Sequence, residues 1–200
     1  PSYYTVVYDH DGNVLLDKRE KEGKRVLKET TSYLLTDMME DVITSGTGTA
    51  AQISGMNVAG KTGTTSDNVD LTFYGYTPYY TAGIWMGYDT SKEMKNVSGS
   101  AHLKIWKHVM SQTHADLPNK EFTRPDGIVT LSVCAASGGQ PSSLCSQDYY
   151  GYSARSDLAA ADFQSDNSVC SLHKSYTVCS ETGKLAGPNC PNPINVVVAV

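Results

Sequence analysis

The sequence predicts an α+β fold: an antiparallel sheet covered by helices, followed by a small loop-rich β module. Three observations carry this. Short runs rich in aromatic and β-branched residues alternate with Gly, Asp and Pro turn signals, which is the texture of strands. Two other stretches, around residues 34–43 and 103–110, repeat their apolar residues at helical spacing. From residue 127 onward the texture changes, and all five cysteines (Cys134, Cys145, Cys170, Cys179, Cys190) fall in that last third. Two regions are therefore expected, 1–126 and 127–200.

Composition bounds the class. At 200 residues, 40% hydrophobic and 18% charged, the chain can bury a core and is not disordered. A net charge of −5 with no dominant basic patch argues against nucleic acid as a partner. No apolar run approaches the roughly 20 residues that span a bilayer. The chain opens on Pro1 rather than Met and reads as a piece of a longer protein, so a missing membrane anchor says nothing about the whole.

In order, residues 2–8 and Val14-Leu15-Leu16 flank Asp9-His10-Asp11-Gly12-Asn13, a hairpin signal because Gly supplies the positive φ of the turn. Residues 18–28 are charged and read as solvated loop. Leu34, Leu35, Met38, Val42 and Ile43 then predict a core-packing helix, with Thr30, Thr31 or Ser32 as its cap and Gly46 at its end. Residues 46–50 are a flexible connector. Three strands are expected next, around Lys61, around residues 72–77 and around residues 80–88, as an antiparallel meander. A second helix carries Leu103, Ile105, Trp106, Val109 and Met110, capped by Ser98 or Ser100. In the tail, Val133-Cys134 with Cys145 and Val178-Cys179 with Cys190 repeat at one offset, each with a proline between (Pro141, Pro188). This is an internal repeat of a small Cys-bounded loop. Residues 196–200 are β-branched and far too short for a membrane span.

The stretch Ala59-Gly60-Lys61-Thr62-Gly63-Thr64-Thr65 organises the rest. Its letters from Gly55 to Thr62 spell a phosphate loop, G-x-x-x-x-G-K-[ST]. That motif needs a strand before it and a helix after it, and neither is expected here. The other reading is a strand-borne Lys-Thr-Gly. It is extended by Phe73-Tyr74-Gly75-Tyr76-Thr77-Pro78, Trp85-Met86-Gly87-Tyr88-Asp89 and Ile105-Trp106, and is preceded by Gly46-Thr47-Gly48. This ordered series, from about residue 3 to 122, resembles the C-terminal part of the transpeptidase domain of class A (bifunctional) penicillin-binding proteins. The Cys-bearing tail resembles, more loosely, a C-terminal extension of some Gram-positive members.

The resemblance implies a partial penicillin-binding/β-lactamase-like transpeptidase fold and a serine acyltransferase acting on D-Ala-D-Ala. It implies that Lys61 supplies a positive field and helps proton movement, and that the N–H of Thr64 is an oxyanion donor. Thr62 would offer its hydroxyl to the substrate carboxylate, Gly63 would let the substrate backbone lie along the strand, and Thr65 would be a nearby polar contact. Implied partners are peptidoglycan stem peptides, β-lactams and the N-terminal part of the same domain. The implied setting is the extracellular face of the membrane and the cell wall, with an anchor upstream of this chain. No cofactor is implied.

The family also uses Ser-x-x-Lys and Ser-x-Asn upstream of Lys-Thr-Gly, and nothing before Lys61 fits either. Ser66-Asp67-Asn68, Ser165-Asp166-Asn167 and Ser171-Leu-His-Lys174 spell the letters downstream, without the helix such a nucleophile needs. The chain alone is therefore expected to be inactive. Val69 and Thr72 stand where many relatives carry a basic residue and a tryptophan, which affects the groove rim. For the cysteines, an extracellular wall enzyme implies two local disulfides, Cys134 to Cys145 and Cys179 to Cys190, with Cys170 left over. Cys170-Ser-Leu-His173 has ligand spacing, with Cys179 and Cys190 near, but no C-x-x-C pair accompanies it. No metal is expected. A second function class is a non-catalytic module that binds wall polymer or protein, which 13 Tyr against 3 Phe would suit.

Overall fold

The computed structural model describes residues 3–19, 24–163 and 168–200. The chain opens as a hairpin, β1 (Val6–Tyr8) antiparallel to β2 (Val14–Asp17). Its turn is the one the sequence predicts. Asp9 Oδ1 accepts the backbone N–H groups of Asp11 and Asn13, and Gly12 takes φ 84°, a left-handed position that glycine fills without a Cβ clash.

The first helix, α1 (Glu29–Thr44), starts earlier than expected. Lys28 is its N-cap and no side chain caps it, so Thr30, Thr31 and Ser32 lie inside the helix. Glu29 in the first turn instead sets a negative charge against the helix dipole. Only Thr36 and Ile43 of α1 are buried, while Leu35 and Met38 are 47% and 58% exposed. The apolar period is real, but half of its stripe points away from the packed core. At the other end the chain turns tightly: a Cβ on Gly46 would stand 2.8 Å from the Val42 Cα.

The central sheet is the expected meander, β3 (Ala59–Thr64), β4 (Leu71–Tyr76) and β5 (Thr81–Met86), antiparallel in the order β3-β4-β5. Lys61 stands opposite Tyr74, and Tyr74 opposite Gly83. The period of two buries Leu71, Phe73 and Gly75 on one face and turns Thr72 and Tyr74 to the other. The second helix, α2 (Ala101–Thr113), has Ser100 as its N-cap, without a side-chain hydrogen bond, and buries Leu103, Trp106 and Met110. Phe73 meets Trp106 edge to face at 5.0 Å, and the Trp106 indole N–H donates to the Ala82 carbonyl at 2.9 Å. A Cβ on Gly75 would lie 2.6 to 2.7 Å from Phe73 and Trp106 atoms, so this close packing requires glycine. Ile43, Ile53, Met56 and Val58 complete the core. His114 locks the end of α2 to the sheet. Its Nδ1 donates to the Met110 carbonyl (2.7 Å), which leaves Nε2 to accept the Thr77 hydroxyl (2.8 Å).

Beyond residue 127 come two antiparallel ribbons, β6 (Ile128–Cys134) with β7 (Ala154–Ala160) and β8 (His173–Cys179) with β9 (Pro193–Ala199). The sequence repeat is a structural one. Cys134 and Cys179 each end a strand. The N–H of Gly138 reaches the Cys134 carbonyl and that of Gly183 the Cys179 carbonyl, both at 2.8 Å. Both glycines take positive φ, 70° and 67°. Lys28 pairs with Asp162 at 2.6 Å, tying the start of α1 to this region.

Candidate active-site strand and the cysteine cluster

Gly60, Lys61 and Thr62 lie inside β3, paired with β4. The phosphate-loop spelling therefore does not form a phosphate loop: strand pairing takes the place of a loop leading into a helix. Among the described residues β3 is an edge, with β4 on one side and no strand on the other. Lys61 is exposed, and its Nζ donates to the Thr62 carbonyl at 3.0 Å. Strand alternation puts Lys61 and Gly63 on the face with Tyr74, and Thr62 and Thr64 on the opposite face. A ligand lying along the edge would touch both sets.

Thr62 has a partner in the Gly46-Thr47-Gly48 stretch that precedes the strand. Its Oγ1 lies 2.7 Å from the Thr47 Oγ1, so the Gly46-Thr47-Gly48 turn lays a second hydroxyl on the edge. The flanking glycines have a packing role: a Cβ on Gly48 would come 2.8 Å from the Ile43 side chain, and its absence lets the turn sit tight on α1. Thr65 is held by Asp70, another residue not singled out. Its hydroxyl donates to Asp70 Oδ2 (3.1 Å) and accepts the Asp70 N–H (2.9 Å), while the Trp85 indole N–H donates to Asp70 Oδ1 (2.9 Å). That network closes the turn between β3 and β4. At Gly63 a Cβ would fall 2.4 Å from Thr72 Oγ1, so glycine is needed for the cross-strand neighbour as well as for any ligand.

The spellings of a second motif fall apart in three dimensions. Ser66-Asp67-Asn68 forms a 3₁₀ turn with Asp67 and Asn68 at positive φ, 59° and 52°. Ser171 to Lys174 runs into strand β8, with no helix to hold a serine over a lysine. Ser165-Asp166-Asn167 lies outside the described residues.

All five cysteines have free sulfurs in the structure, with Cys134–Cys145 and Cys179–Cys190 unbridged. Cys134 and Cys145 share their site with Cys170 and His173. One donor atom from each of the four lies within 4.8 Å of all the others, and all four residues are buried. By spacing alone, Cys170 and His173 group with Cys179 and Cys190. The fold brings in the earlier loop because residues 168–170 run beside Gln140, with the Cys170 N–H on the Gln140 carbonyl at 2.7 Å. Cys134 and Cys170 sulfurs stand 3.5 and 3.2 Å from His173 Nδ1. Burial raises the Cys170 thiol, but the Ser137 hydroxyl and the His173 ring outweigh it and hold it down to about 5.

Comparison with known proteins gives a consistent picture. The family described as penicillin binding protein transpeptidase domain matches residues 1–111. Penicillin-binding protein 1A of Clostridium perfringens (strain ATCC 13124) is 43% identical over 145 residues, covering 72% of this chain and 18% of the relative. Penicillin-binding protein 1A of Clostridium novyi (strain NT) is 29% identical over 198 residues, covering 96% of this chain and 22% of the relative. The chain thus spans about a fifth of the length of these relatives. Among solved structures, Penicillin-Binding Protein 1A from Haemophilus influenzae superposes on 78% of this chain, and 28% of that chain, with TM-score 0.55 at 16% identity, a likeness of fold.

Proposed function

The chain belongs to the penicillin-binding protein transpeptidase domain family, and from that premise we propose that it supplies one wall of a D,D-transpeptidase groove. Residues 1–126 form the C-terminal part of that domain and residues 127–200 an extension carried behind it. The substrate is the D-Ala-D-Ala end of a peptidoglycan stem peptide, or a β-lactam in its place, on the outer face of a membrane to which an upstream segment anchors the protein. A serine outside this chain attacks the carbonyl between the two D-Ala residues. The terminal D-Ala leaves and the acyl group then passes to an amine.

One observation carries the reading. The Lys-Thr-Gly triplet stands on an edge strand whose outer side pairs with no other strand among the described residues. An extended peptide can add to such an edge by backbone hydrogen bonds. Lys61 then places its charge near the nucleophile, Thr62 meets the substrate carboxylate with Thr47 behind it, and the Thr64 N–H meets the developing oxyanion. Thr65 keeps the strand end in place through Asp70.

Covalent labelling with a fluorescent penicillin tests this. The isolated chain is expected to take no label, and stoichiometric labelling would show a nucleophile within it. In the whole protein, Lys61→Ala is expected to slow acylation by about 10²-fold or more, the scale of losing one preorganised electrostatic group, with the melting temperature unchanged. An unaltered acylation rate would remove Lys61 from the site.

A further inference from the structure

We propose that Cys134, Cys145, Cys170 and His173 form a structural zinc site that holds residues 127–200 together. A zinc ion with thiolates at about 2.3 Å and an imidazole nitrogen at about 2.0 Å has tetrahedral edges of about 3.5–3.8 Å. The Cys134 and Cys170 sulfurs lie 3.5 and 3.2 Å from His173 Nδ1, and no pair in the set is further apart than 4.8 Å. Four protein donors and complete burial describe a closed site, with no position left for substrate. A disulfide between any two of these cysteines would leave the third sulfur and the imidazole converging on nothing.

The surroundings are those of a metal site. The Ser142 N–H donates to the Cys145 sulfur at 3.2 Å, a bond that favours thiolate. The other ring nitrogen of His173 faces a carboxylate. Nε2 lies 3.3 Å from Asp148 Oδ2, both side chains are wholly buried, and Nε2 has no completed hydrogen bond. Metal on Nδ1 fixes the proton on Nε2 and aims it at Asp148, the orientation that a carboxylate gives to metal-bound histidine. Asp148 is itself pinned, accepting the N–H groups of Tyr150, Tyr152 and Ala199. It is a positioning residue.

Need supports the same assignment. The buried cluster of this region consists of Cys134, Cys145 and Cys170, with Ala136 packed on it, and beyond it only Ile128, Cys179 and Val197 are buried apolar residues among the described part of 127–200. Two two-stranded ribbons gain little from so small an apolar core, and small modules in that position use disulfides or a metal. With the sulfurs unbridged, metal is the staple that this donor set offers.

The whole chain, purified under reducing conditions, should carry one zinc per molecule by elemental analysis. Cobalt exchanged into the site should show thiolate-to-metal charge transfer and the intense d–d bands of a tetrahedral complex. Cys170→Ser and His173→Ala should each lose the metal, while Cys179→Ser keeps it, which separates this set from the other half of the repeat. Asp148→Asn should stay folded and weaken zinc about 10–100-fold. Folded, reduced protein free of metal would overturn the proposal, as would iron in place of zinc, equal loss of metal in Cys179→Ser, or a Cys134–Cys145 disulfide found by mass.

Discussion

Lys61 stands in solvent on a strand edge that is unpaired among the described residues, with its ammonium on the neighbouring Thr62 carbonyl. Three cysteine sulfurs and the His173 ring converge instead where solvent does not reach. The two places are built for opposite purposes. A groove that admits a peptide must leave backbone donors free and draw its reacting groups from distant segments, so under the proposed function this chain would hold only part of one. A site that stabilises must satisfy all of its donors from nearby chain, so it is complete within residues 134–173. The lesson extends to the repeat. Cys134 and Cys179 end their strands with the same hydrogen bonds, but only the first copy has Cys170 and His173 laid against it. The letters of a Cys-bounded loop therefore do not decide its chemistry; the next segment does.

Removing metal should break this comparison most sharply. Structural zinc contributes on the order of 10–16 kcal/mol in small zinc peptides, more than the thin core of the tail can replace. A strong chelator should therefore strip amide-exchange protection from β6 to β9 and leave that of β3, β4, β5 and α2 in place, read by hydrogen-exchange mass spectrometry. Uniform loss along the chain would mean that the two regions fold as one unit, and no loss would mean that the cluster carries no stability.

The reverse asymmetry belongs to Trp106. It fills the apolar core through Phe73 and the Ala82 carbonyl. Trp106→Ala should cost about 3–5 kcal/mol of the stability of the sheet-and-helix region, seen as a lower denaturant midpoint. Its zinc content should not change. A variant that lost both together would show that the core and the metal site are coupled.

Much of this was legible in the residues. The hairpin at Asp9 to Asn13, the three-stranded meander and both helices follow from turn chemistry and period, because local physics sets them. The strand setting of Lys61 followed from the absence of a helix signal after Thr62. What could not be read is non-local. Leu35 and Met38 fit the helical period and yet are exposed, since period fixes the face of a helix and not what covers it. Thr47 is legible only as part of Gly46-Thr47-Gly48 and Asp70 not at all, and only the fold lays them against Thr62 and Thr65. The repeat pairs Cys134 with Cys145 in sequence, whereas Cys170 and His173 reach them from a segment on the other side of β7.

A pair of buried histidines offers the finest test. His102 and His173 are 1% and 3% exposed, and each has a ring nitrogen without a completed hydrogen bond. His173 faces sulfurs and the Asp148 carboxylate. Burial holds the His102 pKa below the usual value, against a smaller opposing pull from the Thr72 backbone. The neutral form is therefore native, while the unfolded chain takes up a proton near pH 6.5. As pH falls through that value the unfolded state binds a proton that the native state refuses, so stability drops until the lowered native pKa is reached. Each unit of that lowering corresponds to about 1.4 kcal/mol. His102→Leu should flatten this part of the curve, measured as the difference between wild type and variant in melting temperature from pH 8 to pH 5. A difference that stays constant across the range would mean that His102 binds its proton as readily in the fold as in the unfolded chain.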